Sequence, residues 1–136
     1  MKTLLIKHPL NFFGLLMAVV LLGTSCKKSK DDNKESGFPR NVTIEYKVSS
    51  SSGLNKTEIT YSNETGGMTM VENASLPFTK KIDRRLTELT AIGLGIASDI
   101  PGSLNLEILV NGKSVKAQTF TMSPIISGNI QHVFYE

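Results

Sequence analysis

One segment near the end of the chain constrains the fold more than any other. Apolar side chains recur at every second position from Leu104 to Val110, and Asn111-Gly112 follows at once. This period predicts a strand with one buried face, and Asn-Gly favours a two-residue hairpin turn because both of its positions need positive φ. The turn predicts a register that places Val110 opposite Lys113, Ile108 opposite Val115 and Leu106 opposite Ala117. In this register the apolar residues of both strands fall on one face, so the turn and the apolar period predict the same pairing.

The same period recurs from Asn41 onward. It is clear from Val42 to Val48, where apolar and polar residues alternate, and Pro77 suits an edge strand or a strand start. Other segments with a strand pattern are 57–62, 68–70, 75–82, 86–97, 119–121 and 130–135. No amphipathic helix of useful length interrupts them. Seven or eight short strands therefore predict one all-β domain over residues 41–136, a sandwich or small barrel.

The predicted strand 86–97 has two unlike faces. Ile92, Leu94 and Ile96 lie on one face, whereas alanine and glycine occupy the alternate positions 91, 93, 95 and 97. Small residues in a strand suggest that another backbone or side chain approaches closely. We therefore expect a packed neighbour on this second face.

The N-terminus has the pattern of a bacterial lipoprotein leader. Lys2 and Lys7 precede an apolar stretch from Phe12 to Leu22, and Gly23-Thr24-Ser25 precede Cys26. The apolar stretch is about half as long as the ~20 residues that span a bilayer. Residues 1–25 are therefore predicted to be a removed signal peptide, and Cys26 the site of lipidation. The alternative is an uncleaved N-terminal anchor helix.

The residues after Cys26 are polar. Residues 27–36 have no apolar side chain, which predicts that 26–40 are a lipidated cysteine followed by a flexible tether. A lipid with two or more acyl chains would hold the protein firmly to a membrane. Lys30-Asp31-Asp32 resembles a short acidic signal for surface export of lipoproteins. The expected location is thus the outer membrane, on its periplasmic face or at the cell surface.

The net charge of +3 belongs to the N-terminal region. Nine Lys and Arg and nine Asp and Glu lie from Arg40 onward, so the domain itself is neutral. A protein that binds nucleic acid usually has a basic surface on its folded domain. We therefore expect no nucleic-acid partner. The single cysteine also excludes a disulfide within the chain.

Several segments resemble one known family. The segments are 41–48, 57–62, 106–115 and the Asn-x-x-Leu-Pro-aromatic-Thr-Lys run from Asn73 to Lys80, which contains Phe78. In this order they resemble the MmpS family of small membrane-anchored transport accessory proteins over roughly residues 41–120. The resemblance implies an immunoglobulin-like β-sandwich outside the membrane, working beside an export pump of the RND type. The lipid anchor and the lack of a cysteine in the domain differ from that family.

The densest charge cluster of the domain spans Lys80 to Arg85. An extended chain would place Lys80 and Arg84 on the face of Ile82, and the other two basic residues beside Asp83. The functional interpretation is a contact patch for phosphate headgroups, an acidic glycan or an acidic partner, formed by Lys80, Lys81, Arg84 and Arg85. The alternative is a solvated edge strand whose lysines deter edge-to-edge pairing.

Two further candidates have simple alternative interpretations. Met68, Met70 and Met122 with Leu76 and Phe78 could line an adaptable apolar groove, or they could fill the core. His132 is the lone histidine of the mature chain and has no carboxylate at ligand spacing, so we expect no metal site.

Motifs of catalysis are also absent from the sequence. It contains no Gly-x-Ser-x-Gly elbow, no His-Glu-x-x-His and no phosphate-binding glycine loop. The sequence therefore predicts a non-catalytic protein without a cofactor, held at the membrane through Cys26, that acts by binding an envelope protein or a transporter. The alternative function is a surface-displayed glycan-binding or adhesion module.

Overall fold

A computed structural model of the protein describes residues 37–122 and 126–136. The predicted leader, Cys26 and residues 27–36 lie outside the described residues. Eight strands follow one another: β1 Arg40–Ser50, β2 Lys56–Ser62, β3 Met68–Ser75, β4 Phe78–Leu86, β5 Thr90–Ser98, β6 Gly102–Val110, β7 Lys113–Met122 and β8 Ile126–Phe134. We find no helical segment among the described residues with the length and hydropathy needed to span a bilayer.

The strands form two antiparallel sheets of four. The first sheet has the order β4-β1-β6-β7, and the second has the order β3-β2-β5-β8. Every strand pair is antiparallel. The prediction of an all-β, immunoglobulin-like sandwich with seven or eight antiparallel strands is confirmed.

The core lies between the two sheets and follows the alternation of the sequence. Along β1, Val42, Ile44, Tyr46 and Val48 are buried and the intervening residues are not. The inner face of β5 contributes Ile92, Leu94 and Ile96, and that of β6 contributes Leu104, Leu106 and Ile108. Burial of this apolar surface is the main stabilising contribution to the fold.

The predicted hairpin forms, but its register is wrong beyond the turn. Val110 pairs with Lys113 as expected, whereas Ile108 pairs with Lys116 and not with Val115. The predicted Leu106–Ala117 pair is likewise replaced, since Leu106 pairs with Gln118. A β-bulge at Val115 inserts one residue into β7.

The bulge has a packing reason. Val115 and Phe120 are five residues apart, so a regular strand would place them on opposite faces. Beyond the bulge, Phe120 pairs with the inward-facing Leu104, and both Val115 and Phe120 pack against the core. One extra residue therefore lets both Val115 and Phe120 of this exposed edge strand pack, partly buried, against the core.

The Asn73–Lys80 run forms the connection from β3 to β4. Asn73 has a φ of +53°, and the Leu76–Pro77 peptide bond between the two strands is cis. The Leu76 amide donates a hydrogen bond to the Asn55 carbonyl at 2.9 Å. β4 begins at Phe78, after the proline, and lies at the edge of the first sheet as Pro77 suggested.

Candidate functional site

The four basic residues of the predicted contact patch lie on β4 but do not share one face. Ile82 is buried, and the half-buried Lys80 and Arg84, two residues before and after it, share its inner face of the sheet. Exposed Lys81 and Arg85 point to the outer side. The structure therefore divides the predicted patch into two pairs on opposite faces of an edge strand.

The inner pair packs against the turn that joins β2 to β3. Lys80 Nζ lies 3.7 Å from Glu64 Oε1. Arg84 lies against Gly66, where a Cβ atom would come within 2.8 Å of Arg84 Nη2. Gly66 also has a φ of +92°, so both the turn and the arginine favour glycine at this position. The two inner cations thus close the open side of the sandwich between the edge strands.

A buried tyrosine lies behind this pair. Tyr46 is fully buried, and its hydroxyl donates a hydrogen bond to the Ser62 carbonyl at 2.9 Å. Burial raises the pKa of Tyr46 to about 12, while the charge of Arg84 acts in the opposite direction. The phenol therefore stays neutral and joins the two sheets.

The outer pair belongs to a polar face. Lys81 pairs across the sheet with Glu45, and Asp83 accepts a hydrogen bond from the Thr43 hydroxyl. Farther along this face, Ser103 and Thr121 share a hydrogen bond of 3.0 Å between their hydroxyls. These contacts support the alternative interpretation of the cluster as a solvated edge strand.

The five residues of the predicted methionine groove do not come together. Leu76 and Phe78 pack against the core, and the Phe78 ring lies 6.1 Å from the ring of Tyr61. Met68 and Met70 lie on the outer face of β3, where 58% and 59% of their surfaces are exposed. The side chain of Met122 lies outside the described residues. Met68 borders a different groove, and Met70 pairs with Thr60, which also lines that groove.

That groove, which we call the β5 groove, runs along the outer face of the second sheet. Its floor consists of Gly93, Gly95 and Ala97 of β5, and its volume is about 290 Å³. Across the sheet Gly95 pairs with Thr60 on one side and with Asn129 on the other. Met68 borders the groove on the side of β3, and Gln131 on the side of β8.

The glycines of the floor are not required by the fold itself. A Cβ atom at Gly93 would have no neighbour closer than 3.8 Å, and one at Gly95 none closer than 3.6 Å, which is ordinary van der Waals contact. The nearest atoms belong to the neighbouring strands β2 and β8. Since glycine in a strand costs roughly 0.5–1 kcal/mol relative to alanine, the missing side chains lower stability and leave the face open.

The β5 groove continues into an acidic cleft. An open cleft of about 530 Å³ shares Glu58, Ala97 and Ser127 with the groove. Glu72 and Asp99 add two further carboxylates to its lining, and Lys56 adds one cation. In the part of the chain that the structure describes, no three His, Cys, Asp or Glu side chains converge on a metal position.

His132 lies near the opposite end of β8. Its ring meets the ring of Phe134 edge-on at 4.8 Å. Partial burial lowers the pKa of His132, and the nearby charge of Arg40 acts in the same direction. These contacts explain His132 as a packed aromatic residue of the strand.

Sequence reasoning missed a cluster around Arg40. The guanidinium carbon of Arg40 lies 5.0 Å from the ring centre of Phe38 and 5.4 Å from that of Phe134. Arg40 Nη2 also donates a hydrogen bond to the Tyr135 carbonyl at 3.0 Å. Periodicity could not have found this cluster, because its residues come from opposite ends of the domain. It ties the first described residues to the C-terminus.

Sequence comparison adds no family to these observations. Neither the models of known protein families nor the curated proteins contain a match to this chain. The resemblance to the MmpS family therefore stays a prediction.

Proposed function

We propose that this chain is a lipid-anchored protein of the bacterial cell envelope that acts by binding a segment of a partner protein in the β5 groove. The anchor is the lipidated Cys26, and the predicted location is the outer membrane. The observation that carries the proposal is the open floor of Gly93 and Gly95 beside the exposed Met68 of β3. The anchor limits where the partner lies, and the groove supplies the contact.

The chemistry of the groove favours a protein segment as the occupant. Met68 and Met70 have flexible, polarizable side chains, which suit a surface that adapts to an apolar partner. A floor of two glycines and an alanine admits the backbone of an extended segment. Asn129 and Gln131 lie on the opposite side of the floor and offer amide groups for hydrogen bonds to that backbone.

The resemblance to the MmpS family supports an accessory subunit of an RND-type transport complex as the specific role. The alternative role, a glycan-binding or adhesion module, would use the polar outer face of the first sheet. On that face Thr43 already bonds Asp83, and Ser103 bonds Thr121. The same experiment separates the two roles.

The proposal is tested by filling the groove. Gly95→Val adds a β-branched side chain to its floor, and Ala117→Val makes a similar change on the exposed outer face of β7. Each variant would be crosslinked in whole cells, affinity-purified and analysed for its partners. We expect Gly95→Val to lose the partner that the wild type and Ala117→Val both recover, while its melting temperature stays equal or rises.

The identity of the recovered partner decides between the roles. An inner-membrane transporter lost only from Gly95→Val supports the accessory role. Recovery of polysaccharide or extracellular material alone, equal in all three proteins, would contradict both the accessory role and the use of the groove. An unchanged set of proteins in Gly95→Val would contradict the groove as the contact surface.

A further inference from the structure

The end of the sandwich at which the chain enters carries the two most exposed large apolar side chains of the described residues. Tyr135 is 67% exposed and Leu89 is 64% exposed. The last pair between β5 and β8 joins Thr90 to Phe134, so Leu89 and Tyr135 both lie one residue beyond it. The register therefore brings the two side chains to the same edge of the second sheet.

The entry of the chain lies at this same end. Arg40, the first residue of β1, pairs with Leu86, which precedes the turn that carries Leu89. Its guanidinium donates a hydrogen bond to the Tyr135 carbonyl and packs on the ring of Phe38. The first described residues therefore lie at the same end of the domain as Tyr135.

The turn from β4 to β5 holds Leu89 away from the core. Leu86 is buried at the end of β4, and the Thr90 hydroxyl donates a hydrogen bond to the Glu88 carbonyl at 2.8 Å. Leu89 thus occupies a turn with its own hydrogen bond and still leaves most of its surface in solvent. An exposed leucine together with an exposed tyrosine suits a membrane–water interface, because tyrosine combines an apolar ring with a polar hydroxyl.

The length of the preceding chain limits where this end can lie. Cys26 is eleven residues before Gly37. Eleven residues span at most about 40 Å when fully extended. A lipid on Cys26 would therefore keep residue 37, and the Leu89 and Tyr135 end with it, within about 40 Å of the bilayer. The turn after β5 lies at the far end of that strand.

We propose that Leu89 and Tyr135 form a membrane-contact edge that inserts into the headgroup region of the bilayer and sets the orientation of the domain. This inference rests on the proposed lipid anchor at Cys26. Because the anchor already holds the protein at the surface, a weak additional contact is not opposed by the loss of translational freedom.

The charges at this edge indicate that the two apolar side chains, and not an ionic attraction, make the main contact with the bilayer. Exposed Arg85 pairs with Asn41 near the edge and is available to lipid phosphates. Glu88 and Glu136 adjoin Leu89 and Tyr135 in the chain and oppose a purely electrostatic attraction to anionic lipid. The contact therefore depends on insertion of the two side chains, with Arg85 in a supporting position.

This orientation places the β5 groove beside the membrane and not against it. The groove lies on the outer face of the second sheet, and its acidic extension lies toward the Ser98 end of β5, away from Leu89. A partner embedded in or held at the membrane could then reach the groove from the side.

The test uses the lipidated full chain, purified from membranes and reconstituted in vesicles of phosphatidylethanolamine and phosphatidylglycerol. Cys26 is the only cysteine of the chain, so Leu89→Cys supplies a single free thiol for an environment-sensitive fluorophore when Cys26 carries lipid. Ile100→Cys is the matched control, because Ile100 is 52% exposed in the turn that follows β5. Tyr135→Cys provides a second label on the proposed edge.

We expect the labels at 89 and 135 to shift to shorter emission wavelength and to be quenched by spin-labelled lipid, severalfold more than the label at 100. Equal quenching at all three positions, or none at 89 and 135, would overturn the membrane-contact edge. Flotation of the same vesicles separates the two claims. Protein that fails to float with the vesicles refutes the lipid anchor, whereas protein that floats without quenching at 89 refutes only the contact edge.

Discussion

The close approach of two edge strands makes a quantitative prediction at Gly128. A Cβ atom there would lie 2.6 Å from Phe120 Cδ1 and 2.7 Å from its Cγ. Carbon atoms pack best at about 3.5–4.0 Å, so Gly128→Ala forces the ring back by about 1 Å. Overpacking of this kind costs about 1–3 kcal/mol, and the reduced freedom of the unfolded chain returns at most about 1 kcal/mol.

The expected net loss is about 1–2 kcal/mol in the free energy of unfolding. For a domain of this size that corresponds to a melting temperature lower by about 4–16 °C. Gly95→Ala is the matched control, because its new Cβ meets nothing closer than 3.6 Å, and we expect equal or slightly higher stability. Thermal denaturation followed by circular dichroism measures both.

A double-mutant cycle attributes the effect to the ring. In a Phe120→Ala background, the added methyl group at 128 has no ring to displace, so Gly128→Ala should then cost little. If Gly128→Ala is as stable as Gly95→Ala in the wild-type background, the close packing of β7 on β8 is refuted.

Two other predictions concern the core and the hairpin. Tyr46→Phe should cost about 1 kcal/mol at pH 7, because it removes a buried hydrogen bond. The pKa of Tyr46 is raised from 10.0 to about 12, so between pH 10 and 12 the tyrosine ionises in the unfolded state and not in the folded state. Over this range the free energy of unfolding of the wild type should fall by up to about 3 kcal/mol relative to that of the variant. A constant difference in urea unfolding across this range would contradict the prediction. Asn111→Val should lower stability by about 1–3 kcal/mol, because Asn111 has a φ of +49° and its side-chain oxygen accepts a hydrogen bond from the Thr43 amide at 2.9 Å. An unchanged melting temperature of Asn111→Val would contradict the turn geometry.

The period of the apolar residues was sufficient to predict the inner faces of β1 and β5, but not every strand boundary. The predicted strand 75–82 crosses the break between β3 and β4, and the predicted strand 86–97 crosses the turn between β4 and β5. In β1 and β5 the buried residues are those of the alternation, because one face of each strand packs on the opposite sheet. Pro77 predicted either an edge strand or a strand start, and it directly precedes β4, which lies at the edge of its sheet.

The register of the final hairpin could not be predicted from its turn alone. Asn111-Gly112 determines only the first pair of the hairpin. The bulge at Val115 depends on the packing of Phe120 beside Leu104 and Gly128, and this tertiary contact is not visible in the sequence. A bulge changes the partner of every later residue, so one local packing preference displaced the rest of the predicted pairs.

The candidate site was predicted only in part. The small residues at 91–97 were noted, and a close neighbour was expected there, but the nearest atoms to the glycines come only from adjacent strands. Met68 and Met70 were assigned to a groove with Leu76 and Phe78. Their strand alternates between the outer face and the core, and its pairing with Thr60 and Ser62 was needed to place the methionines beside the glycines.

Photocrosslinking from two positions in living cells tests the central claim most directly. A photoreactive amino acid at Met70 stands on the exposed face of β3, where Met70 pairs with Thr60 of the β5 groove. One at Thr79 stands on the exposed outer face of β4 in the other sheet. We expect the amino acid at position 70 to crosslink to one discrete envelope protein in the membrane fraction and the one at position 79 not to do so. Equal crosslinking from both positions, or a discrete partner from Thr79 alone, would contradict it.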